Sequence, residues 1–98
     1  MDGFQILWWF RMTEVGRLER LSHLDLADTE VTEDGLAELR GLTTLETLDL
    51  SATAVTDAGL RCLHGLKHLH WIGLADTDVT DAGVKELRAA LPSCEVER

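Results

Sequence analysis

The sequence predicts an α/β solenoid, a coil of stacked strand–turn–helix units, on three observations. From Leu18 onward the chain repeats itself every 24 residues. Each unit opens with apolar residues at LxxLxL spacing, the alternation of a half-buried strand. Each then sets a threonine between a valine and an apolar residue four positions on, the arrangement of a capped helix start with its hydrophobic staple.

The strand columns are Leu18/Leu42/Leu66, Leu21/Leu45/Leu69, Leu24/Leu48/Ile72 and Leu26/Leu50/Leu74. The turn and helix columns are Thr29/Thr53/Thr77, Val31/Val55/Val79, Thr32/Thr56/Thr80, Gly35/Gly59/Gly83, Leu36/Leu60/Val84 and Leu39/Leu63/Leu87. Within the central unit, Leu42 to Gly65, the strand faces its leucines inward, Thr56 caps the helix and Gly65 stands where a helix-ending glycine belongs. The recurring Gly35, Gly59 and Gly83 point to close packing between units.

Three regions follow. Residues 1–17 form an N-terminal cap, expected to be helical because Phe4, Trp8, Met12 and Val15 keep helical spacing; the segment also holds Trp9 and Phe10, which need cover. Residues 18–90 are three full repeats. Residues 91–98 close the chain with Leu91, Cys94 and Val96 at LxxLxL spacing, a last strand with Cys94 turned inward.

These columns resemble the leucine-rich repeat family, whose LxxLxL strand and turn recur every 20 to 29 residues. The tails TEVTEDGL, TAVTDAGL and TDVTDAGV look most like its cysteine-containing class, with threonine at Thr29, Thr53 and Thr77 where that class carries cysteine or asparagine. The resemblance implies a right-handed coil with a parallel sheet on the concave face and short helices on the convex face. It also implies a protein-binding role, and by analogy with F-box proteins a substrate-recognition part of a ubiquitin ligase, although no F-box-like segment is present.

One unit cannot bury its own apolar face, so stability comes from neighbours, and three repeats are the minimum for a stable stack. That leaves a second expectation: the chain is a piece of a longer array, or stacks on itself through its open ends.

Composition narrows the function classes. Of 98 residues, 45% are hydrophobic and 28% charged, an ordinary globular balance. Eighteen acidic against nine basic residues give a net charge of −9. That charge opposes phosphate backbones, so no nucleic-acid role is expected; it suits a basic partner, and equally keeps an open-ended repeat soluble. No apolar run reaches the roughly 20 residues of a membrane span. The start lacks a basic leader and cleavage site, which makes the cytoplasm the expected compartment. Cys62 and Cys94 fall at different repeat positions without metal-ligand spacing and read as reduced thiols.

Strand residues between the inward leucines face out and align as columns, the surface on which such coils bind partners. Here they are His23/Thr47/Trp71 and Asp25/Asp49/Gly73. Trp71 is the expected anchor, since tryptophan is enriched at binding hot spots, with Asp25 and Asp49 as electrostatic partners; the competing expectation is that Trp71 packs beneath the C-terminal strand. Asp28, Glu30, Glu33, Asp34, Asp57, Asp76, Asp78 and Asp81 gather between strand end and helix start. They suit helix dipoles, as Arg40, Arg61 and Arg88 do at the other ends. Calcium is not expected, because Asp81 stands where an EF-hand loop needs glycine. His64, His68 and His70 lack a fourth ligand at zinc spacing and read as surface histidines. No nucleophile–base pair, buried acid pair or phosphate loop is present, so neither catalysis nor a cofactor is expected.

Overall fold

The computed structural model describes residues 3–5, 21–31 and 33–98. Five short strands, β1 (Gly3–Gln5), β2 (His23–Asp25), β3 (Thr47–Asp49), β4 (Trp71–Gly73) and β5 (Glu95–Glu97), form one parallel sheet in chain order. Between them run the helices α1 (Glu33–Ala37), continued by a 3-10 turn over Glu38–Gly41, α2 (Asp57–Arg61) and α3 (Asp81–Ala90). Register follows the repeat: His23 pairs with Thr47 and Thr47 with Trp71, and Trp71 in turn pairs with Glu95.

The inward columns meet in one continuous core. Leu45, Leu48, Leu50, Leu66 and Ile72 are 0% exposed, and Leu36, Leu39, Leu63 and Leu87 bring the helices onto the same cluster. Fully burying such side chains contributes about 1.5–3 kcal/mol each, so the column is the main source of stability. Cys94 belongs to that core, and burial pushes its thiol up to about 11.

Where strand becomes turn, the threonines of the third turn position close the chain on itself. Thr29, Thr53 and Thr77 donate their hydroxyls to the carbonyls of Leu26, Leu50 and Leu74 at 2.7, 2.6 and 2.7 Å. Thr53 is 7% exposed, so the hydroxyl satisfies a carbonyl that water does not reach. Just before each threonine the backbone turns left-handed, at Asp28, Ala52 and Asp76, with φ near 57°. A backbone ladder outlasts the strands at the first two of these turns: the N–H groups of Asp28 and Ala52 reach the carbonyls of Ser51 and Ala75 in the next coil at 2.9 and 2.8 Å.

Three local expectations change. The helix expected from Phe4 is not what residues 3–5 form: Gly3, Phe4 and Gln5 pair in parallel with His23, Leu24 and Asp25. Periodicity over so short an apolar run does not separate helix from strand, and here pairing with β2 decided the outcome. Trp8, Trp9, Phe10, Met12 and Val15 lie outside the described residues. Gly65 does not end its helix in a left-handed conformation, since no described glycine has positive φ; α2 stops at Arg61 and a turn carries the chain on. Finally, Thr56 occupies the N-cap of α2 without a side-chain cap bond, its hydroxyl donating to Glu33 in the previous coil. Thr80 does cap α3, accepting from the Gly83 N–H at 3.4 Å, while Thr32 lies outside the described residues.

Candidate functional site

Parallel register turns the outward strand positions into two rows across β2 to β5: His23, Thr47, Trp71 and Glu95 in one, Asp25, Asp49, Gly73 and Glu97 in the other. The structure therefore brings all six sequence-predicted surface residues onto one face and adds two glutamates to them. Glu95 and Glu97 were legible in principle, because the Leu91, Cys94, Val96 spacing already sets the intervening residues outward.

Trp71 dominates this face. Its indole lies along β4 over Gly73: a Cβ at position 73 would sit 2.7 Å from Trp71 Cη2 and 2.7 Å from Asp49 Oδ1. A side chain there would have to displace the Trp71 ring or the Asp49 carboxylate, so Gly73 serves as the seat of the ring. The indole Nε1 donates to Glu97 Oε2 at 3.2 Å, which ties the ring to β5 while leaving it half-buried. Trp71 thus leans on the C-terminal strand and keeps part of its surface exposed.

The two aspartates are partly committed. Asp25 Oδ1 accepts from the Ala27 N–H at 2.9 Å and Asp49 Oδ1 from the Ser51 N–H at 3.0 Å, so one oxygen of each shapes the turn after its strand. In the other row His23 Nδ1 and Thr47 Oγ1 are hydrogen-bonded at 2.6 Å. Glu46, just ahead of β3, approaches His70 Nδ1 at 3.9 Å.

The carboxylates between strand and helix behave differently. Asp57, at the start of α2, accepts from both the N–H and the hydroxyl of Thr80 in the next coil, at 2.8 and 2.5 Å. Those two bonds hold its carboxyl below the usual carboxylate range. Glu33 receives the hydroxyl of Thr56 one coil earlier, and Asp81 pairs with Arg98 where the next threonine would stand. The glycine column fits beneath this ladder. A Cβ on Gly83 would come within 2.0 Å of Asp57 Oδ1, and one on Gly59 within 2.9 Å of Leu36 Cδ1.

With this geometry in hand, comparison with known proteins decides the architecture. A family model described as "Leucine Rich repeat" matches residues 41–63, the central unit. The chain is built of leucine-rich repeats. An internalin from Listeria monocytogenes has a similar fold, with a TM-score of 0.60 and 16% identity over 87% of this chain and 30% of the internalin. The leucine-rich repeats here thus span less than a third of that protein's length. No curated protein matches the sequence significantly.

The histidines between α2 and β4 of the leucine-rich repeats do not converge. His68 lines a shallow cavity of about 270 Å³ with Thr44 and Glu46. His64 departs from the expected surface position: it is half-buried, and its Nε2 is buried without a hydrogen-bond partner. Among the described residues no three histidine, cysteine or carboxylate side chains are grouped to hold a metal ion. No helix among them is long and apolar enough to cross a membrane.

Proposed function

We propose that this chain is a non-catalytic protein-interaction module that engages its partner through the outward face of the sheet, with His23, Asp25, Thr47, Asp49, Trp71 and Gly73 at the contact. The observation that carries the reading is Trp71. A large aromatic ring rests on a rigid strand, seated on glycine and still half-exposed, among polar side chains held in register by the sheet. Rigid aromatic surface of this kind anchors interfaces at low entropic cost. Free thiols at Cys62 and Cys94 support a reducing compartment such as the cytoplasm.

Affinity capture with three forms of the chain tests this. Trp71→Ala is expected to lose a partner that the wild type retains, while Glu86→Ala, on the exposed side of α3, keeps it. Melting temperatures show that both variants fold. Retention of every partner by folded Trp71→Ala sinks the proposal.

A second reading is favoured by one feature: among the described residues β1 and β5 each have a neighbouring strand on one side only, leaving an open parallel sheet. Open edges invite another strand, and a head-to-tail contact between copies would continue the coil. Sedimentation across a concentration series separates the two, since growth in size with concentration supports stacking and a constant monomer excludes it.

A further inference from the structure

Among the described residues the charges are segregated in a way that specifies the partner's chemistry. None of the five strands carries Lys or Arg. Arg40, Arg61, Lys85 and Arg88 sit on the helices, Lys67 lies in a turn and Arg98, just after β5, is turned to Asp81 and the Val79 carbonyl, whereas Asp25, Asp49, Glu95 and Glu97 all stand on the outward sheet face. Trp71 divides those carboxylates into two groups, a pair on β2 and β3 and a pair on β5, with its ring on β4 between them.

Spacing turns that division into a pattern. Neighbouring strands lie roughly 4.8 Å apart, so the first carboxylate pair is separated from β5 by roughly 10 to 14 Å. An extended segment crossing the strands advances roughly 3.3 Å per residue and points every second side chain the same way. Residues i and i+4 span roughly 13 Å on one side, with i+2 midway.

We infer that the partner presents an extended segment with cations at i and i+4 and an apolar residue at i+2. The first cation meets Asp25 and Asp49, the apolar residue lies on the Trp71 indole, and the second cation meets Glu95 and Glu97. Arginine suits both ends, because its guanidinium pairs with carboxylates in a planar fork and stacks on aromatic faces. The inference rests on the sheet face being the binding surface. It goes further in naming a charge, a conformation and a spacing. Contacts at this exposed face are weak one by one, so the complex is salt-sensitive and its selectivity resides in register.

Fluorescence anisotropy with labelled ten-residue peptides tests it on the full chain. One peptide carries Arg at two positions four apart with Leu midway, the other residues being Ser and Gly; its isomer, of identical composition, carries the two Arg side by side. The first is expected to bind about fivefold more tightly, as two exposed ion pairs allow, and to lose that advantage in Asp49→Asn combined with Glu97→Gln. Both substitutions retain an oxygen for the Ser51 N–H and the Trp71 Nε1–H. Equal affinity for the two isomers, no binding of either, or an advantage that survives the double variant overturns the inference. The broader reading falls separately: if Trp71→Ala still captures every partner, the face itself is excluded, whereas a partner lost with Trp71→Ala but indifferent to charge and spacing removes only the i, i+4 pattern.

Discussion

The border where each strand hands over to its helix and the outward face of the sheet carry the same side chains, yet the two regions use their carboxylates oppositely. On the border, Asp57 reaches across to the next coil and takes two hydrogen bonds from Thr80, and Glu33 and Asp81 make the corresponding links to Thr56 and Arg98. On the face, among the described residues, Asp25 and Asp49 bond only to the backbone two residues ahead within their own coil. A carboxylate whose neighbour in the next coil offers donors becomes part of the stack. Asp25 and Asp49, whose neighbours are a carboxylate and a glycine, make no such link among the described residues. Residue type is identical in the two places, and the residue at the matching position in the adjacent coil decides the role.

The border is where this contrast breaks most readily. Gly83→Ala sets a methyl against the Asp57 carboxylate and is expected to destabilise the chain by about 1–3 kcal/mol, in the range of overpacking. Chemical denaturation of Gly83→Ala, Asp57→Ala and the pair checks the cause. If the clash with the carboxylate is responsible, the double variant is more stable than the sum of the single changes allows.

A smaller effect of opposite sign lies in the turn joining the two regions. Ala52 holds φ 57° where Asp28 and Asp76 stand in the flanking coils. A left-handed alanine costs roughly 1 kcal/mol that glycine avoids, so Ala52→Gly is expected to raise stability by up to about 1 kcal/mol, less glycine's extra unfolded-state entropy. A rise in the denaturation midpoint with unchanged slope is the result to look for.

The smallest expected effect separates the two kinds of carboxylate by pH. Because Asp57 holds its proton less tightly folded than unfolded, its contribution is fully present above its ordinary value of 3.8 and is lost as pH falls through the lower folded value. Wild type should therefore exceed Asp57→Asn in melting temperature at neutral pH, with the gap closing below about pH 4. Asp49→Asn, which keeps its bond to Ser51, is expected to match wild type at neutral pH. A gap for Asp57→Asn that does not change with pH would assign the link to shape and not to charge.

The repeat made much of the fold legible before any coordinates. Every LxxLxL leucine from Leu21 onward is buried, because inward columns need only alternation and a neighbour to cover them. The first strand was illegible: β1 stands 20 residues before β2 and not 24, and a three-residue stretch at Phe4 fits either period. Thr56 misled for another reason. Threonine before a helix is a sound capping signal, but the outcome depends on how the hydroxyl is oriented between two coils: Thr56 donates to Glu33 and accepts nothing from its own helix, whereas Thr80 donates to Asp57 and still accepts from Gly83. The surface residues were found by column, whereas the posture of Trp71 was not: nothing in the sequence says that its ring lies over Gly73 or that Glu97 holds it.

By itself, then, the sequence determined the coil, its inward leucines and which positions face out, since these depend on a 24-residue period that three successive copies display. Tertiary structure alone decided that Thr80 both caps its helix and bridges coils while Thr56 only bridges, which carboxylates link one coil to the next, and how Trp71 is seated. Those outcomes depend on what stands at the matching position 23 to 26 residues away, where only the folded stack brings donor and acceptor together.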